Sequence, residues 1–289
     1  MSINNIYIGD NQVNSIGLNV GGADKSIQET SFEIFKSLEE YTWSEIKAIC
    51  QAGNASTKLI LGDTKKVYDN AGYEYNVRLV DLQVGRYNFT GTNNPNHAVF
   101  EVTNTYCQVG AKDIDTSEEI LDIVANNEDG KELVGLTGLI DSVDLYYVNI
   151  PGYASETEPT MDDVDRISRQ LFLPAASELA TEAEFRTMTV YPYIPALLES
   201  TSTYDQSTQL GMFDYYKQVA SLSEARKKHW RLTAAYKDNY YPYWTRTLHR
   251  YTGVSQQYTY HFAISDAGAL WQCRSDRIET VRIPMYFAW

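Results

Sequence analysis

Apolar positions recur at three- and four-residue steps in TWSEIKAICQAG, where Trp43, Ile46, Ile49 and Cys50 fall on one face of a predicted helix. Thr42 stands where an N-cap belongs and Ala52-Gly53 supplies the stop. The same spacing in Phe32, Phe35 and Leu38 extends the helical pattern upstream, from residue 31.

Alternation replaces that period almost everywhere else. In NIYIGDNQVNSI, Ile6 and Ile8, then Val13 and Ile16, flank Gly9-Asp10-Asn11, which predicts a β-hairpin followed by the glycine-rich linker NVGGADKS. A hairpin this short is not stable alone in water and must dock on the body, on another subunit or on a larger assembly. STKLILGDTKKVYDNAGYEYNVRLVDLQVG reads as strands split by Gly-Asp and Asn-Ala-Gly turns, with Tyr73, Tyr75, Val77 and Leu79 alternating in an antiparallel meander. LFLPAASELA reads as a strand end entering a helix, and DYYKQVASLSEARKKHW as a helix with a basic last turn suited to its dipole. The final forty residues are predicted β: Tyr258, Tyr260, Phe262 and Ile264 alternate before the turn Ser-Asp-Ala-Gly, and Val281, Ile283, Met285, Phe287 and Trp289 alternate after it.

Charge divides the chain. Residues 112–166 hold 15 acidic and 3 basic side chains, a net −12 of the total −14, and include the predicted helix DTSEEILDIVANNEDG. Residues 226–250 hold seven Lys and Arg against one acid, Asp238. The overall balance argues against free duplex nucleic acid as a partner, because phosphate binding rests on clustered cations. The 289 residues, 43% hydrophobic, suffice for one large packed domain. No apolar run of membrane-spanning length occurs, and MSINNIYIGDNQV lacks a secretory pattern, so the chain is expected to be made in the cytoplasm and to stay soluble there or to leave by a route that needs no signal, such as lysis. Cys50, Cys107 and Cys273 are too far apart for a metal knuckle and are read as reduced thiols.

The chemistry-bearing motifs are missing. There is no nucleophile elbow, phosphate loop, dinucleotide fingerprint or zinc helix. ANNEDG, the nearest calcium-loop candidate, places Ala125 at the first ligand position and Leu136 at the last. His97, His229, His249 and His261 are scattered, and Asp162, Asp163 and Asp165 read as a solvated face. No catalytic residue, metal or cofactor is therefore assigned. The aromatic and arginine-dense YYPYWTRTLHR, residues 240–250, is the one stretch that reads as a binding surface, since Tyr, Trp and Arg anchor interfaces and stack on sugars. As a strand it would turn Trp244 and Leu248 to one face and Tyr243, Thr245, Thr247 and His249 to the other, leaving about half of it as packing.

Six blocks in order, TWSEIKAICQAGNASTKLILGDTKKV, VRLVDLQVGRYNFTGTNNPNHAVFEV, LFLPAASEL, YYPYWTRTL, FAISDAGALW and VRIPMYFAW, resemble a domain-of-unknown-function family of phage and prophage genes of Gram-positive bacteria and of some surface proteins. The resemblance spans residues 32–289. That family is similar, more distantly, to the C-type-lectin-like fold of phage variable adhesins and formylglycine-generating enzymes. The chain departs from the family pattern at Thr247 and at Ile283. It also lacks the calcium-sugar signatures, with only Glu158-Pro159-Thr160, and the enzyme's cysteine pair. The resemblance implies an α+β, C-type-lectin-like domain over 31–289, with antiparallel sheets, two to four helices and an acidic insertion around 112–166; the hairpin and linker read at 1–30 are expected to be a docking arm, by analogy with phage tail and virion proteins that attach a globular head to an assembly. It implies a non-enzymatic virion protein, in tail, baseplate or capsid decoration. Its expected partners are other virion proteins, further copies of itself and a host-surface glycan or protein, with no nucleic acid and no membrane insertion. Trp244, Arg246, His249, Arg250, Tyr251 and Trp271 are the expected ligand-binding residues; Trp244 and Arg246 are also those expected to hold the strand in the fold, which leaves 249–251 open for recognition. The alternatives are a scaffold that buries its aromatic face against neighbouring subunits and a relative of the formylglycine-type enzymes.

Overall fold

The computed structural model describes residues 6–8, 11–13, 36–103, 132–148, 164–181, 184, 211–220, 235–236, 239–240, 242–249, 260–274 and 284–289. It is a mixed α+β structure, divided into two compact units, Met1–Ile34 and Phe35–Trp289. In the first unit, β1 (Ile6–Ile8) and β2 (Asn11–Val13) pair antiparallel with Ile6 opposite Val13.

In the second unit, four antiparallel strands form the main sheet in the order β13-β5-β4-β3. These are β3 (Thr64–Tyr68), β4 (Glu74–Asp81), β5 (Val99–Thr103) and β13 (Met285–Ala288). Asp69 forms the β3–β4 turn, accepting from the backbone N–H groups of Ala71 and Tyr73 at 2.9 and 2.8 Å, while Gly72 takes the positive φ of 85° that the turn needs. Every side chain of β5 and β13 is buried, because both faces of the sheet are covered. On one face Leu79, Phe100 and Phe287 lie in register. The Phe100 and Phe287 rings stack at 5.1 Å, and Trp289 meets both of them edge-on and reaches Trp43. On the other face Arg78, Glu101 and Tyr286 lie in register beneath Phe213 and Tyr216.

Trp43 belongs to α1 (Trp43–Gln51), whose start the sequence dictates: Glu45 N–H donates to Thr42 Oγ1 at 3.2 Å and Thr42 N–H donates to Glu45 Oε2 at 2.7 Å. Trp43, Ile46 and Cys50 face inward, and Gly53 ends the helix at φ 71°. Substituting Thr42 with alanine should cost about 1 kcal/mol, read as a lower thermal midpoint. The hydrogen bonds from Thr42 hold the Glu45 carboxyl below its ordinary pKa, so the contribution of this cap is present near neutrality and lost as the pH falls through that lowered value. Burial pushes the Cys50 thiol up to about 12. Native protein at pH 8 should therefore leave Cys50 unalkylated in peptide mass mapping, and the same reagent in denaturant should label it.

Several segments differ from their sequence patterns. Leu38 lies in a single 3-10 turn, Leu38–Glu40, whose N–H at Ser37 donates to Glu40 Oε2 at 2.7 Å. Ser56–Lys58, in the stretch expected to be strand-like, instead lies in the short helix α2 (Ala55–Lys58), with Ala55 and Leu59 buried. LFLPAASEL follows its pattern, with Phe172 in a bridge to Tyr286 and Ala176–Leu179 in helix α3, and so does DYYKQVA, which forms α4 (Asp214–Ala220). The predicted acidic helix, the calcium-loop candidate and the rest of DYYKQVASLSEARKKHW lie outside the described residues.

Three smaller antiparallel sheets complete the description: β6 (Val143–Val148) with β7 (Val164–Arg169), β8 (Ala235–Tyr236) with β9 (Asn239–Tyr240), and the order β10-β11-β12. The last contains β10 (Tyr243–His249), β11 (Tyr260–Ile264) and β12 (Leu270–Arg274).

Candidate functional site

β10 carries the aromatic stretch, and it is not a simple two-faced strand. Trp244 pairs with Ala263 and Leu248 with His261, so a bulge lies between them and consumes Thr245, Arg246 and Thr247. All five side chains from Tyr243 to Thr247 are buried, which corrects the expectation that alternate residues would face outward. The bulge turns the strand's outer edge onto residues 173–176. Arg246 N–H donates to the Pro174 carbonyl at 3.0 Å, and Thr247 Oγ1 accepts from Ala176 N–H at 2.8 Å.

Trp244, expected at the binding face, is 0% exposed and meets His261 edge-on at 5.2 Å. Arg246, expected beside it, is equally buried. Its guanidinium donates to the Leu173 carbonyl at 2.7 Å, to Glu178 Oε2 at 3.1 Å and to the Tyr146 carbonyl at 3.4 Å. A ligand at the surface touches neither. Both are corrected to fold residues, for the reason that a buried guanidinium must be paired wherever it sits. Trp271 lies in β12, in register with Ala263 and so with Trp244, and is 36% exposed. The backbone of His249 pairs with Tyr260, while Arg250 and Tyr251 lie outside the described residues. Of the three expected site residues whose side chains are described, Trp244 and Arg246 are buried and Trp271 reaches the surface.

The polar side chains that the sequence left unassigned form two buried clusters. In the first, Glu178 is the hub. It accepts from Tyr87 Oη at 2.8 Å, from Ala175 N–H at 2.7 Å and from Arg246, and Arg86 stands 3.9 Å away. Arg86 donates to Asp81 at 2.7 Å and to the carbonyls of Gly211 and Met212 at 2.6 and 3.1 Å, while Asp81 accepts from Asp214 N–H at 2.9 Å. Two carboxylates face two guanidiniums, so the cluster is neutral in sum, and it ties β4, α3, β10 and the start of α4 together. In the second cluster Glu101 accepts from Tyr216 Oη and from Tyr286 Oη, the latter at 2.7 Å, with Arg78 at 3.5 Å. Burial, and then the Glu101 charge, push both phenols well above the usual tyrosine range. In both clusters buried charges are paired, although Glu101 Oε1 has only the Arg78 ion pair and no hydrogen bond among the described residues.

The sequence did not point to the exposed aromatics at the β3–β4 turn, because in a strand a tyrosine reads equally as core. Tyr68, Tyr73 and Val134 are 46%, 52% and 60% exposed. Val134 N–H donates to the Tyr68 carbonyl at 2.7 Å and Asp69 N–H to the Tyr73 carbonyl at 3.0 Å, so the three backbones adjoin one turn, with Tyr68 opposite Glu74 on one face of the ribbon and Tyr73 beside Asp69 on the other. Tyr68 Oη donates to Glu74 Oε2 at 2.9 Å, and Lys66 Nζ pairs with Glu74 Oε1 at 2.9 Å.

Among the described residues no helix is long and apolar enough to cross a membrane. Compared with family models, with curated proteins and with solved structures, the chain matches none.

Proposed function

We propose that this chain is a non-enzymatic structural component of a phage particle, from the tail, the baseplate or a capsid decoration, with a C-type-lectin-like domain that contributes to host-surface or glycan binding. The observation that carries the proposal is the N-terminal hairpin. Its strands are three residues each and form part of a compact unit of their own, Met1–Ile34. Two such strands are too short to be stable by themselves in water, so the hairpin is suited to an arm that completes a neighbouring chain. The antiparallel α+β body and the block order in the sequence support the lectin-like comparison. Other virion proteins and further copies of this chain are the proposed partners, and the virion, released by lysis, is the proposed location.

The burial of Trp244 and Arg246 favours a second reading, a scaffold without a ligand, because the aromatic block then serves packing. Antibody labelling and electron microscopy of purified particles test the proposal. Chain in the particle, lost on deletion of residues 1–34, is the expected result, whereas a chain found only in the lysate overturns it. Few copies at a tail tip favour adhesion, and a lattice of copies favours scaffold.

A further inference from the structure

We infer that the outer edge of β7 pairs antiparallel with the same edge of a second copy of this chain, about a twofold axis at Ile167. The inference rests on the self-association in the proposed function and assigns it a surface. The phase of the ladder decides which backbone groups face outward. Asp144 N–H donates to the Asn88 carbonyl and Thr90 N–H to the Ser142 carbonyl, both at 2.9 Å, so 142 and 144 turn away from β7 while 143, 145 and 147 bond to it. Their partners Arg169, Ile167 and Asp165 therefore bond inward, and the backbone groups of Val164, Arg166 and Ser168 point out of the two-stranded ribbon. Among the described residues none of these three donates or accepts a further backbone bond. The Ser168 carbonyl accepts from Arg169 Nη1 at 2.8 Å and keeps its second lone pair. The main sheet, by contrast, covers its edges. On β3, Thr64 N–H donates to Asp63 Oδ1 at 2.8 Å, Lys66 N–H donates to Glu39 Oε2 at 2.9 Å and the Tyr68 carbonyl accepts from Val134; on β13, Tyr286 exchanges both its bonds with Phe172. An open strand edge is a template for one more strand.

The sequence of β7, VDRISR, selects that strand, because its charges are complementary to themselves. With Ile167 on the axis, Asp165 of each copy lies opposite the partner's Arg169, and Arg166 lies opposite the partner's Ser168. Neighbouring registers that keep the same ladder phase are poorer. An axis at Arg166 sets two guanidiniums opposite each other, an axis at Asp165 sets two carboxylates opposite each other, and an axis at Ser168 puts Arg169 opposite Ile167. A six-residue strand covers far less than the ~800 Å² per partner of a stable interface, so the dimer is weak and is reinforced where many copies share one particle.

Sedimentation velocity of the full chain at roughly 5 to 500 μM, the range suited to so small an interface, tests this. The expected result is a monomer–dimer equilibrium in which amide exchange at Arg166 and Ser168 slows as the dimer forms. Asp165→Arg and Arg169→Asp should each weaken self-association at least about tenfold, since either puts two like-charged pairs into the dimer. An equimolar mixture of the two variants should dimerise about as well as the parent, because every charge then faces its opposite. Asp165 is exposed, so Asp165→Arg should keep the parent melting temperature, and the amide exchange reads the edge in the parent chain with no substitution at all. A monomer throughout, a dimer whose Arg166 and Ser168 amides stay unprotected, or a dimer unchanged by Asp165→Arg overturns the inference. So does a mixture of two folded variants that stays monomeric. None of these readouts depends on the particle location, which the microscopy reads separately.

Discussion

Replacing Glu178 with alanine is expected to lower the free energy of unfolding by about 3–5 kcal/mol, the loss typical when one member of a buried ion network is removed. The size follows from what stays behind. Arg246 keeps the Leu173 and Tyr146 carbonyls but loses the Glu178 carboxylate, Arg86 keeps Asp81 and the Gly211 and Met212 carbonyls but loses the more distant Glu178 charge, and the Tyr87 phenol and Ala175 N–H lose their acceptor. Four charges that summed to zero become three with a net positive charge, in a place where water does not reach. Glu178→Gln, which keeps an acceptor of similar shape for Tyr87 or Ala175, should cost less than the alanine variant. A domain holds only about 5–15 kcal/mol in total, so the alanine variant should show a clear loss in urea midpoint or fail to accumulate. Glu74→Ala, on the exposed rim, is the control and should change stability little. Equal midpoints for Glu178→Ala and Glu74→Ala would show that the cluster does not hold the fold.

The second large effect is at Trp244. Truncation to alanine should cost about 3–5 kcal/mol, as expected for a fully buried tryptophan. Trp244→Phe should cost much less, because the Trp244 indole N–H has no acceptor among the described residues and its removal ends a buried donor's desolvation penalty. Trp289 supplies the contrast. Its indole N–H donates to the Leu139 carbonyl at 3.1 Å, so Trp289→Phe should lose both packing and a hydrogen bond. Denaturant titration of the two phenylalanine variants reads the difference directly. A Trp244 variant that keeps full stability while losing sugar or cell binding would return this residue to the recognition surface and overturn its assignment to the core.

These two residues show how far the sequence carried. The period of α1, its cap at Thr42, the β1–β2 hairpin and the alternation of Tyr75, Val77 and Leu79 were legible because each depends on neighbours within a turn or along one strand. The α+β class followed from those local signals. The sequence also showed that residues 240–250 were unusual, but whether Trp244 and Arg246 faced water or core was set elsewhere in the chain. The bulge in β10 and the 173–178 segment that covers it lie about 70 residues apart in sequence, and local pattern carries no information on such a meeting. Glu101 and Glu178 gave no signal for the same reason, since an acidic residue inside a strand or a short helix reads as surface until its partners arrive from α4, β13 and β10. Local propensity and periodicity therefore marked α1, the hairpins and the main strands, while α2 and the 3-10 turn at Leu38 departed from their patterns. Tertiary contacts alone decided which charges are buried in pairs and left Tyr68 and Tyr73 in solvent, because desolvation and pairing depend on what packs against a side chain and not on what precedes it.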